Sequence, residues 1–249
     1  MKKGKLGPLS VISLVRELRR RGGDPRPMSV AGARELVPIL ARELRAGGEA
    51  SAVVENVLEN VSVLVWIGPP DADQLRKADQ AGIPIVAVTD ADIVPYVLAT
   101  SVVRVPAGQG FPIEEIAEKI ADRLGEDGTA LAARLPVVRA AVCDHLIATF
   151  SRRNAVIAGA VFIPGVDMPV LTLNQVRLVL RIALAHGETV DQQRALELLG
   201  VVGAGFGLRA IARELLDVVP VVGWALKASI AYGGTKAVGE AAVRYFATR

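Results

Sequence analysis

Apolar positions change their period partway along the chain. Between residues 27 and 125, short runs without inside–outside alternation are separated by segments of helical period. Met28–Ala31, Ala50–Val54, Val61–Ile67, Pro84–Val88 and Ser101–Val105 read as strands, and VSVLVWI at 61–67 is the strongest of them. Ala33–Ala46, closed by Gly47-Gly48, reads as a helix. So does Ile113–Leu124, with Ile113, Ile116, Ala117 and Ile120 on one face. Asp71 is placed to cap a further helix to Ala81, and Gln74 completes a capping-box spacing. Asp90 and Asp92 are placed to cap a short helix after the fourth strand. Fully apolar strands alternating with helices predict a small parallel sheet covered by helices.

From Thr129 onward the helical period takes over. The pattern predicts helices at Thr129–Ser151 (kinked at Pro136), Ala155–Phe162, Leu171–Ala185, Asp191–Val202, Gly205–Val218, Gly223–Ala231 and Thr235–Ala247. Thr172 and Gln175 stand at capping-box spacing, and Gly187 stands where a helix C-terminal glycine belongs. The predicted class is α/β followed by an all-α bundle. The expected domains are a basic amphipathic segment at 1–26, an α/β domain at 27–125 and a helical domain at 126–249, divided near Gly125–Gly128.

Charge changes this picture at the N-terminus. The 249-residue chain carries a net +3, but residues 1–26 hold eight Lys and Arg against Glu17 and Asp24, a local +6. Within them Pro8–Arg21 reads as an amphipathic helix with Leu9, Ile12, Val15 and Leu18 on one face. Arg19, Arg20 and Arg21 are candidate contacts to an anionic membrane surface; the plain alternative is a solvated basic helix. No secretory signal is expected, because Arg16 and Glu17 interrupt the apolar run at Ser10–Leu18. Mean hydropathy is high at +0.39, yet no uncharged apolar run reaches the ~18 residues of a simple spanning helix. The nearest, Asn154–Val176, contains Asp167, Pro164, Gly165 and Pro169. An aromatic content of 4 % argues against a base-stacking surface, and no nucleic-acid partner is expected.

In order and spacing, the α/β half resembles Ras- and Era-like G domains. Thr89-Asp90-Ala91-Asp92 follows the fourth strand, where the family has its Asn-Lys-x-Asp base-reading motif. Pro106-Ala107-Gly108-Gln109-Gly110 follows the fifth and resembles the Ser-Ala-containing loop. The resemblance makes Asp92, Gly108 and Gly110 the candidate cofactor-binding residues. The phosphate loop is absent: Gly32 is present, but Val37, Pro38 and Ile39 replace its second Gly, its Lys and its Ser/Thr. No catalytic residue and no cofactor are therefore expected.

The helical half resembles the uncharacterised helical domain that follows the G domain in a group of bacterial Era-like GTPases and also occurs in membrane-linked bacterial proteins. The residues that carry this are Ile163-Pro164-Gly165-Val166-Asp167, Leu173 with Arg177, Arg181-Ile182-Ala183 and His186-Gly187. Val219-Pro220 with Gly223, Thr235–Ala241 and Tyr245-Phe246 extend it. The resemblance implies a fold and a membrane-linked setting rather than a reaction. Arg177 and Arg181, one turn apart, are candidates to clamp Asp167 or a lipid phosphate; the alternative is a solvated stripe.

Other chemistry is thin. One cysteine and two histidines do not make a usual four-ligand zinc site, and no metal is expected. Cys143-Asp144-His145 does not converge on one atom, since adjacent helical residues point about 100° apart. Cys143 reads as a core residue, and His186 as a helix C-terminal residue suited to the dipole. Gly203–Gly207, Gly233-Gly234 and Gly239 read as small residues that let helices approach, with an oligomer through these helices as one use. The leading expectation is a non-catalytic, pseudo-GTPase-like binding or regulatory protein, peripheral on the cytoplasmic face of the membrane, with its protein partner unknown. A nucleotide-binding switch and a soluble scaffold are the alternatives.

Overall fold

The computed structural model describes residues 24–106, 108–160, 168–189 and 224–248. The chain divides into two compact units, one of Gly22–His145 and one built on Leu146–Arg249. Several expectations lie outside the described residues: the Pro8–Arg21 helix with Arg19, Arg20 and Arg21, the 163–167 motif, and the helices at 191–202 and 205–218 with Gly203–Gly207.

The first unit holds five parallel strands: β1 (Met28–Gly32), β2 (Val53–Glu55), β3 (Val63–Ile67), β4 (Ile85–Thr89) and β5 (Val102–Arg104). Their order is β2-β1-β3-β4-β5. Every residue of β3 and β4 is buried, which is why neither alternates. The edge strands β2 and β5 have three residues each, which limits the backbone exposed to stray pairing. Helix α1 (Val37–Leu44) connects β1 to β2, and α2 (Ala72–Gln80) connects β3 to β4. These crossovers run in opposite directions from the sheet centre, so right-handed connections put α1 and α2 on opposite faces. On the α2 face, Leu64, Trp66, Ile85 and Ala87 pack with Leu75 and Ala78.

Helix α3 (Ile113–Leu124) spans the residues its pattern predicts, and buries Ile116, Ala117, Ile120, Ala121 and Leu124. Helix α1 is shorter than the expected Ala33–Ala46. Pro38 near its start lacks the N–H and favours the first turn, and the preceding residues form a turn instead. No helix follows β4. A loop and a 3-10 turn at Ala99–Ser101 lead to β5, so Asp90 and Asp92 cap nothing. Asp71 does cap α2: its carboxylate accepts from the N–H groups of Asp73 and Gln74. Gln74 donates its side-chain amide to the same carboxylate at 3.0 Å, rather than reaching the cap's backbone.

Gly125–Gly128 is a 3-10 turn within the first unit, and the units divide inside the long helix that follows. The expected Thr129–Ser151 helix is two helices, α4 (Thr129–Arg134) and α5 (Pro136–Ala160), separated by extended Leu135. Pro136 starts a helix instead of kinking one, as its fixed φ and missing donor favour. Arg134 anchors this junction, donating to Glu49 Oε2 at 2.8 Å, the Pro25 carbonyl at 3.0 Å and Ser51 Oγ at 3.0 Å.

In the second unit, α5 runs unbroken to Ala160, so no separate helix starts at Ala155. Helix α6 covers Met168–Ala185, and α7 covers Trp224–Ala247, joining the two helices expected there through Gly233-Gly234. Thr172 lies inside α6 and caps nothing. Gly187 ends α6 as predicted: its φ is +82°, and the Glu188 and Gly187 N–H groups close a Schellman motif on the Ala183 and Leu184 carbonyls. Gly239 is a close-approach site, since a Cβ there would lie 2.5 Å from Ile147 Cγ1. Gly233 is not, with nothing within 4 Å of such an atom. Among the described residues, no helix is long and apolar enough to cross a membrane.

Two carboxylates tie the fold to pH. Arg26 donates to Asp24 and holds its carboxyl below the ordinary value of 3.8, and the Gln74 N–H does the same to Asp71. A depressed folded value contributes stability above the unfolded pKa, which is lost as pH falls through the folded one. The urea midpoint should therefore hold from neutral pH to about 4 and fall below it. Asp71→Asn should flatten that fall; an unchanged slope would remove Asp71 from the cause.

Candidate functional site at the carboxyl edge of the sheet

In an open parallel sheet, ligands bind outside the carboxyl ends of the strands, where the connections reverse direction. Here that point lies between β1 and β3. The turns that leave these strands are locked to each other. Gly32 has φ +128°, and a Cβ on it would fall 2.1 Å from the Ile67 carbonyl oxygen. The Ala33 N–H donates to that oxygen at 2.7 Å, and the Gly68 N–H donates to Val88 O at 2.9 Å. Gly68, at φ +93°, has room for no Cβ beside Ala33.

A phosphate cradle needs backbone N–H groups aimed outward. The Leu36 and Val37 N–H groups donate back to Ala33 O at 2.9 and 3.0 Å, and Pro38 has none. The α2 N-terminus is filled by its own Asp71 carboxylate. The donors at both turns beside the switch point are thus used largely within the protein.

The sequence-predicted residues lie along the same edge, at the ends of β4 and β5. Asp92 is exposed, and its carboxylate accepts from Arg104 Nη1 at 2.7 Å. Arg104 closes β5 and was not singled out in the sequence; only its charge, opposite to that of Asp92, hinted at the pair. Thr89 Oγ1 accepts from the Ala91 N–H at 3.1 Å and shapes the turn between them. Gly108 has φ +85°, and both Gly108 and Gly110 are exposed with open space around them. Gly108 and Gly110 therefore stand in open space at this edge, whereas a Cβ at Gly32 or Gly68 would meet neighbouring atoms.

Arg177 and Arg181 are not a solvated stripe. Leu178–Ala183 are buried all round α6, and Arg181 is 5 % exposed; Arg177 is half-buried. Nearby, three helices share a polar cluster that the sequence reading missed. Asn174 donates to Asn154 Oδ1 at 2.9 Å, and Asn154 and Gln175 donate to Thr235 Oγ1 at 2.8 and 3.2 Å. Amides inside an apolar stretch were its one sequence signal.

Cys143 is buried, and burial together with Asp144 pushes its thiol up to about 12. His145 pairs through Nδ1 with Asp122 at 2.9 Å. His186 contacts the Ile182 carbonyl through Nδ1 at 2.9 Å, beside the Phe246 ring. Cys143 should stay unmodified by a disulfide reagent in native buffer and react only at the rate of local opening. Fast stoichiometric labelling would overturn its burial.

Among the described residues, no group of three or more His, Cys, Asp or Glu could hold a metal ion. No protein-family model, curated protein or solved structure matches the chain.

Proposed function

We propose that the protein is a non-catalytic, pseudo-GTPase-like binding module that works at the cytoplasmic surface of an anionic membrane. The observation that carries the reading is the β1–α1 turn. Ala33, Leu36 and Val37 use their N–H groups on Ile67 and Ala33 carbonyls, and Pro38 has no donor. The Era-like order of motifs supports a G-domain origin, with Thr89–Asp92 and Pro106–Gly110 at the carboxyl ends of β4 and β5. The Asp92 carboxylate that would read a base is engaged by Arg104. Membrane attachment rests on the +6 N-terminal segment, each Lys or Arg of which gains about 1 kcal/mol near an anionic leaflet.

Two measurements test the reading. Calorimetry with GTP and magnesium should show no affinity tighter than millimolar; micromolar binding would make the protein a nucleotide switch acting through Asp92, Gly108 and Gly110. Flotation with phosphatidylglycerol vesicles should show binding that weakens with salt and with Arg19, Arg20 and Arg21 changed to Glu. Failure to float at low salt would leave a soluble scaffold.

A further inference from the structure

At the opposite, amino-terminal ends of the strands, a cleft of about 380 Å³ opens beside β4. Its apolar lining comes from Ile83 just before β4 and Ile85 at its start, and from Tyr96, Val97 and Leu98 in the loop before β5. Two charged residues complete it, Asp79 near the end of α2 and Arg123 near the end of α3. We propose that this cleft binds a small monocarboxylic acid with an apolar body, its carboxylate on Arg123 and its body on the Ile83, Ile85 and Leu98 side chains.

Three observations support this. The Arg123 Nε is buried and has no hydrogen-bond partner among the described residues. A buried guanidinium N–H left unmatched is costly, and a carboxylate supplies the planar pair of acceptors that suits it. Tyr96 holds φ +63°, a conformation a bulky residue rarely adopts and one that collects at ligand clamps. Leu98 is 58 % exposed although it borders a buried apolar floor, as a wall awaiting a ligand would be. The volume lies near the lower end of ligand pockets, about 300 Å³ upward, which sets a small ligand. Asp79 sets the charge: its exposed carboxylate repels a second negative group, so a monoanion is preferred to a phosphate ester or dicarboxylate.

The site is remote from the carboxyl edge, and its test is independent of nucleotide and membrane binding. The full chain, labelled for amide NMR, is titrated with 3-phenylpropionate, its neutral amide and phenylsuccinate. The acid should shift the resonances of 96–98 and Arg123 Nε–H at submillimolar concentration, with the amide and the diacid at least about tenfold weaker. Arg123→Gln should lose the preference for acid over amide. Leu98→Glu, at an exposed position that tolerates the change, should abolish acid binding while the remaining spectrum is kept. No shift with millimolar acid, equal binding of acid and amide, or shifts that map elsewhere would each overturn the proposal.

Discussion

Gly32→Val should unfold the α/β unit or leave it marginal, with a loss of about 4 kcal/mol or more in urea denaturation. Two costs combine at this position. The φ of +128° is one that side-chain-bearing residues rarely hold, and the new Cβ would start 2.1 Å from Ile67 O and 2.9 Å from Ile67 N. Those neighbours are backbone of the central strand β3, which cannot move without breaking its pairing with β1. Gly110→Ala is the control: nothing lies within 4 Å of its added carbon, and the change should stay within about 0.5 kcal/mol. Equal effects of the two substitutions would mean that the β1 and β3 turns are not locked. The result also bears on the proposed reading, because the same turn spends the Ala33 N–H on Ile67 O, a donor that a phosphate cradle would need.

Asn154→Ala should destabilise the helical unit by about 3 kcal/mol. Asn154 is fully buried; it accepts from Asn174 and donates to Thr235, so its loss strands the buried Asn174 amide and takes from Thr235 one of its two donors. Removing Asn154, Asn174 and Thr235 together should cost less than removing one of them, since matched apolar replacements leave just the half-buried Gln175 amide short of its Thr235 acceptor. A triple change to Leu at 154 and 174 and Val at 235 should recover part of the loss. A double-mutant cycle between Asn154→Ala and Thr235→Val should give a coupling above about 1 kcal/mol. Additivity of the two would show that the pair does not act as a unit.

What sequence alone made legible was short in range. The strands β3 and β4 were readable because burial on both faces leaves an unbroken apolar run, and α3 because one face repeats at helical spacing. The Asp71 cap and the Gly187 terminus were readable because each bond closes within a few residues. That positions 37, 38 and 39 hold Val, Pro and Ile, and so no Gly, Lys or Ser/Thr, is a fact of the sequence itself.

Tertiary structure decided what depends on distant neighbours. Pro136 starts a helix for a local reason, but the junction before it is held by Arg134, whose partners lie 83 to 109 residues away. Gly233-Gly234 reads locally as a break, yet α7 passes through it. Arg181, by spacing a candidate anion clamp or else part of a solvated stripe, is buried, because α6 packs on every side near its end. The Asp92–Arg104 pair, the Asn154–Asn174–Thr235 cluster and the Arg123 cleft each join residues from separate elements. Local propensity and hydrogen bonding act over one or two turns and are written in the sequence; which faces meet, and so which polar groups lose water together, follows only once the chain has packed.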